Sequence, residues 1–248
     1  MAIEATLAHF THSAYADFLQ ELRRNGYEFK SFLEAESALA AKERFVLMRH
    51  DIDFDLQKAA EVALIEERLC VRSTFFFMLR TEHYNLLSRD GTALVRRILD
   101  QGHHLGLHFD CASYPENTMR TAFNEACRRE AAILENWFGR PVQVVSYHRP
   151  AANVLMGDAK LSEPYLNTYL PLFTKEIHYC SDSRGEWKHG TPLQSAAFAN
   201  KQPLHVLIHP IWWCAERTAA VPVLNRLLEE KQEIFRGSFR ENCTVFGK

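Results

Sequence analysis

Phe45-Val46-Leu47-Met48-Arg49-His50-Asp51-Ile52-Asp53 runs from four apolar residues into an imidazole and two carboxylates. A short apolar run of this kind reads as a buried strand. Asp55, just beyond it, can cap a helix in which Ala59, Val62, Ala63, Ile65, Glu66 and Leu69 follow the helical repeat. The stretch is one strand-to-helix unit with its polar groups at the end of the strand.

The same unit recurs along the chain. Ser73-Thr74-Phe75-Phe76-Phe77-Met78-Leu79 is too apolar to wet alternate positions, which predicts a parallel strand covered on both faces. Leu94, Val95, Ile98 and Leu99 then share a helical face between Thr92 and Gln101, and Gly102 ends that helix before the strand that reaches His108 and Asp110. A long helix is expected from about Asn117 to Phe138, stopped by Gly139 and Pro141, and it leads to a strand around Val142 to Val145. Leu204 to Ile208 is the last strand, and Val221 to Phe235 the closing helix. In front of all this, Tyr15, Phe18, Leu19 and Leu22 predict an N-terminal helix that Asn25-Gly26 can terminate. Pro164, Pro171, Gly185, Gly190 and Pro192 break every periodic pattern between residues 151 and 200, so short strands and loops are expected there, near the site.

This alternation allows a parallel α/β barrel or an open doubly wound sheet. Polar residues close several strands, not only two flanking one crevice, which favours the barrel with its site at the C-terminal rim. The length of 248 residues suits one such domain over residues 1–248, and no composition shift marks a boundary. A net charge of −2 offers no field for holding phosphate backbones, so nucleic acid is not expected as a partner. No apolar run approaches the roughly 20 residues of a membrane helix, and the first ten residues lack a basic and then apolar leader, so a cytoplasmic protein without membrane insertion is expected. The cysteines are scattered, which predicts reduced thiols.

Asp51 and Asp53 project to the same side of an extended segment, where two carboxylates repel. A divalent cation relieves the repulsion, with one carboxylate as ligand and the other as base towards water. Asp55 is the helix cap. His104, His108 and Asp110 share a parity; His108 at the strand end is a ligand candidate, His104 is structural, and Gly106 is expected to leave room near the site. His148 can ligate the metal or support the base, and Arg149 can hold a carboxylate through a bidentate pair. His209, where a strand opens into a loop, is the candidate general acid for a leaving nitrogen. Trp212 and Trp213 offer faces for stacking on sugar rings.

Taken in order, these segments resemble the polysaccharide deacetylase family, carbohydrate esterase family four. Arg49-His50-Asp51-Ile52-Asp53 looks like its first motif, of a base and a metal-binding Asp, although the family has the two adjacent; with Ile52 between them the two roles could be exchanged. Gly102-His103-His104-Leu105-Gly106-Leu107-His108 is similar to the second, which ends in a metal-binding His. The family's next His falls on Ala112, and His148, in His148-Arg149-Pro150, is the candidate replacement ligand. Tyr179 to Trp187 looks like the motif in which Asp182 and Trp187 shape the substrate site, and Leu207-Ile208-His209-Pro210 resembles the one that supplies the acid. The resemblance spans about residues 45–213.

It implies a distorted (β/α) barrel of about seven parallel strands and one divalent metal, zinc first, with cobalt, nickel, manganese and iron also suited to mixed carboxylate and imidazole ligands. The expected reaction is hydrolysis of an N-acetyl or similar acyl group from an amino sugar, in a precursor of surface polysaccharide or O-antigen. The assignments that follow are catalytic Asp51, His209 and Arg149, metal-binding Asp53, His108 and His148, and substrate-binding Asp182, Trp187, Trp212 and Trp213. A deacylase for another amide or ester, or a sugar-binding protein that has lost its metal, are the alternatives, and oligomeric state is left open.

Overall fold

The computed structural model describes residues 7–115, 118–150, 154, 160–188 and 190–246. Helix α1 (His12–Arg24) starts where the Thr11 side chain accepts from the Ala14 N–H and ends at Asn25, with Gly26 at φ +76°. Strand β1 (Glu28–Lys30) and helix α2 (Ala35–Ala40) lead into β2 (Phe45–Ile52). Asp55 caps α3 (Leu56–Arg68), its carboxylate accepting from the N–H groups of Gln57 and Lys58. Then follow β3 (Thr74–Phe77), α4 (Arg89–Asp100), β4 (His104–Asp110) and α5 (Arg120–Phe138), which Gly139 ends in the left-handed conformation. The expected start of that helix at Asn117 lies outside the described residues. Next come β5 (Val144–His148), β6 (Leu166–Asn167), β7 (His178–Ser181), α6 (Ala196–Ala199), β8 (Leu204–Ile208) and α7 (Ala220–Asn242). The closing helix thus runs seven residues past the expected end at Phe235.

Every strand pairing is parallel, in the order β6-β5-β4-β3-β2-β8-β7. These seven strands curl into a half-barrel, the distorted (β/α) barrel of the sequence reading. β1 is an eighth strand that the sequence reading does not contain; it pairs with the first residues of β2, Phe29 opposite Val46.

Alternation along each strand sorts the side chains into three packed groups. Outward, Val46, Met48, Val206 and Ile208 pack with Tyr15, Phe18, Leu19 and Leu22 of α1. Also outward, Phe75, Phe77, Leu105, Leu107 and Phe109 are covered together with residues of α3, α4 and α5. Inward, Phe45, Leu47, Phe76 and Val144 meet Phe32, Phe173 and Ile177 and close the barrel floor. Gly106 serves this floor, not the site as expected: a Cβ there would sit 2.4 Å from Phe76 Cδ1. Above the apolar floor the inward positions turn polar. All six cysteines are free thiols, and no described helix is long and apolar enough to cross a membrane.

On the outer face, Glu66 is fully buried and ties three elements together. Its Oε1 accepts from Tyr15 Oη at 2.6 Å and Ser73 Oγ at 2.8 Å, and lies 2.9 Å from His50 Nε2. Removing one member of a buried charged network leaves the others unpaired. Glu66→Ala is therefore expected to lower unfolding free energy by about 3–5 kcal/mol, against about 1 kcal/mol for Tyr15→Phe. Urea midpoints at unchanged m-value check both, and equal small losses would show that the carboxylate does not hold the cluster together.

Candidate metal centre and catalytic site

Arg49, Asp51 and Asp53 follow Leu47 on the inward side of β2 and its continuation, so they stack upward from the floor. Arg49 is buried, and its guanidinium grips Asp51 in a fork, Nε to Oδ1 at 2.8 Å and Nη2 to Oδ2 at 2.7 Å. It also lies over the rings of Phe76 and Tyr169. Burial by itself raises the pKa of Asp51, but Arg49 first, then His108 and His209, outweigh that and hold it below the usual carboxylate range.

Asp53 occupies a different position. Its Oδ1 lies 3.1 Å from His108 Nε2 and 3.3 Å from His148 Nδ1, and one donor atom from each of the three residues lies within 4.8 Å of the others. The neighbouring strand ends β4 and β5 make this possible, since Asp110 pairs in register with His148, and His108 with Ser146. The Ser146 hydroxyl donates to Asp51 Oδ1 at 3.3 Å, so its oxygen is left to accept from His108 Nδ1–H at 2.6 Å. With Nδ1 given to Ser146, Nε2 is the ring nitrogen turned to Asp53, and one carboxylate with two imidazoles is a donor set for zinc and similar divalent ions.

Ala112, where the resemblance expects a second His, sits in a tight turn after β4 and donates its N–H to Asp110 Oδ1. His148 reaches the cluster instead.

His209 approaches Asp53 from another strand end: its Nδ1 lies 2.7 Å from Asp182 Oδ1, and its Nε2 lies 3.9 Å from Asp53 Oδ2. Asp182 also accepts the His209 backbone N–H and, on Oδ2 at 2.8 Å, Trp213 Nε1–H. Burial disfavours the imidazolium, but Asp182, then Asp53 and Asp51, push the His209 pKa up to about 9.

Arg149 follows His148 and should point away from it by alternation. A left-handed φ of 48° turns it back to the rim, where Nε and Nη2 both bind the Asp110 carboxylate. Arg149 and Asp110 join Asp53, His148, Arg80 and His83 in lining a cavity of about 440 Å³, within the range of small-molecule sites.

Asp51, His108 and His209 lie outside the lining of that cavity, and so do Asp182, Trp187, Trp212 and Trp213. Asp182 and Trp213 are 0% exposed, which corrects the expectation that they contact substrate: the carboxylate is consumed by His209 and Trp213, and the indole packs on Phe10 and Tyr15. Trp212 is buried, and Trp187 stacks on Phe10. Arg49 and Ser146, with Asp110, Arg80 and His83 of the cavity wall, are polar residues to which the sequence assigns no role. A shared parity with Asp51 was the available signal for Arg49, and with His148 for Ser146.

No family model and no curated protein matches the sequence. Among solved structures the chain is similar to IcaB from Ammonifex degensii, at 21% identity and TM-score 0.44, covering 55% of this chain and 65% of that one. It is also similar to the chitin deacetylase of the fungal pathogen Colletotrichum lindemuthianum, at 16% identity and TM-score 0.45 over 75% and 81% of the two chains. A family 4 carbohydrate esterase from Bacillus anthracis matches at 15% identity and TM-score 0.46, over 87% and 86%.

Proposed function

We propose that this chain, as one domain over residues 1–248, is a metal-dependent hydrolase that removes an N-acetyl or similar acyl group from an amino sugar. The observation that carries the reading is the gathering of three unlike groups about Asp53: its cluster with His108 and His148, the clamped Asp51 3.7 Å from His108 Nε2, and His209, backed by Asp182, with Nε2 3.9 Å from Asp53 Oδ2. Binding alone does not require an acid, a base and a ligand set together.

When bound by Asp53, His108 and His148, a divalent ion, zinc first, supplies Lewis acidity that polarises the acyl carbonyl and acidifies a neighbouring water. Asp51 Oδ2, 3.7 Å from His108 Nε2, is the proton acceptor, and its fork with Arg49 keeps it ionised and in place. The imidazole contacts belong to Asp53, which supports Asp53 as ligand and Asp51 as base, without exchange. His209 gives the proton on Nε2 to the leaving amine while Asp182 holds Nδ1. Arg149, fixed by Asp110 and exposed at the cavity mouth, presents its guanidinium to the substrate.

The polar lining of the cavity suits a hydroxylated ligand, and the finer reading is an amino sugar in a precursor of surface polysaccharide or O-antigen. Elemental analysis tests the core of this. Wild type loaded with zinc, cobalt, nickel, manganese or iron(II) is expected to hold about one ion per chain, while Asp53→Ala and His108→Ala hold little. Acetate release from nucleotide-linked or lipid-linked N-acetyl amino sugars then tests the substrate. Retention of no ion by wild type would sink the hydrolase reading and leave sugar binding; activity on finished polymer but not on precursors would overturn the finer one.

A further inference from the structure

Helix α7 is anchored only near its start. Val223 and Leu227 are buried, and no residue beyond Leu227 is. Helices in water gain most of their stability by burying an apolar face, and this one carries such a face into solvent. Val221, Leu228 and Phe235 recur at seven-residue spacing, Phe239 follows, and these four are 68%, 67%, 60% and 54% exposed. At about 100° per residue they fall with Leu224 into one stripe roughly 60° wide. Phe246 packs edge-on against Phe239 and lengthens it. An apolar stripe rimmed by charge marks an interaction surface.

The rim selects the occupant. Glu229, Arg236 and Arg240 lie along one flank of the stripe, acid first and bases after. Arg236 and Arg240 both turn to Glu233, which leaves Glu229 without an ion-pair partner among the described residues. An antiparallel second copy lays this flank against itself in reverse order, so each Glu229 meets the other copy's arginines. A parallel copy would instead set Lys231 opposite Arg236, like against like. We propose that α7 is the seam of a homodimer, paired antiparallel with α7 of a second copy about a two-fold axis near Ile234, covering Leu228, Phe235 and Phe239 of both.

Light scattering of the full chain at micromolar concentrations should give twice the chain mass of 28.7 kDa. Phe235→Asp should give the single mass. A helix without its partner can also fray, so charge reversal is the sharper test. Glu229→Arg alone, and Arg236→Glu with Arg240→Glu alone, should each weaken the dimer roughly tenfold or more, and an equal mixture of the two variants should restore it as a heterodimer. A wild type of single mass, a dimer indifferent to Glu229→Arg, or a mixture no tighter than its components each overturns the proposal.

Discussion

On the proposed function, Asp51→Asn is expected to lower turnover by roughly 10²–10⁴-fold while the protein keeps its metal, because the carboxylate proposed as proton acceptor is lost and none of the proposed ligands is. Labour is divided along β2 and its continuation. Asp53 touches both imidazoles, whereas both oxygens of Asp51 are taken by Arg49 and one by Ser146 as well. Asparagine keeps one oxygen for the Arg49 fork, so the chain should fold with a loss of a few kcal/mol, checked by urea unfolding beside the kinetic assay. Loss of metal in parallel with Asp53→Ala would make Asp51 a ligand; turnover within a few-fold of wild type would remove it as the base.

The strands were legible because they are buried on both faces: Thr74–Phe77 and Phe45–Ile52 have no exposed position, so the apolar runs Phe75 to Phe77 and Phe45 to Met48 gave them away. Parity also put Asp51 and Asp53 on one side of their segment, and His108 with Asp110 on one side of theirs. Arg49 obeys the same parity, yet an arginine beside an aspartate reads locally as a surface pair, and only the closed barrel shows that its charge is enclosed and bound to Asp51. The His209 and Asp182 pair joins positions 27 residues apart, across the β7 and β8 pairing, and no local pattern announces it. Trp213 was hidden for a related reason. An indole just past the end of β8 can face solvent or core, and for Trp213 the choice is made by Phe10 and Tyr15 from the far end of the chain. β1 and β6, of three residues and two, are too short to carry a period.

Asp182 is fully buried, and its charge is balanced by His209 alone among the groups it accepts from, the other two being a backbone N–H and an indole N–H. With His209 raised from its ordinary 6.5 to about 9, the imidazolium stabilises the folded state fully below pH 6.5, and that contribution is lost as pH rises through about 9. In metal-free protein, wild-type urea midpoints should therefore fall across this window. Asp182→Asn removes the main raising influence, so burial dominates, the His209 pKa drops, and the fall should vanish from that window. In the metal-loaded enzyme a cation on Asp53 cancels part of the remaining pull, which leaves Asp182 as the group that keeps a proton on His209. Turnover of Asp182→Asn should accordingly drop roughly 10²-fold or more, with its decline at high pH moved to lower pH. Imidazole NMR titration of the metal-free variant separates the causes: a His209 that still titrates as in wild type would show that Asp182 only packs against it and does not tune it.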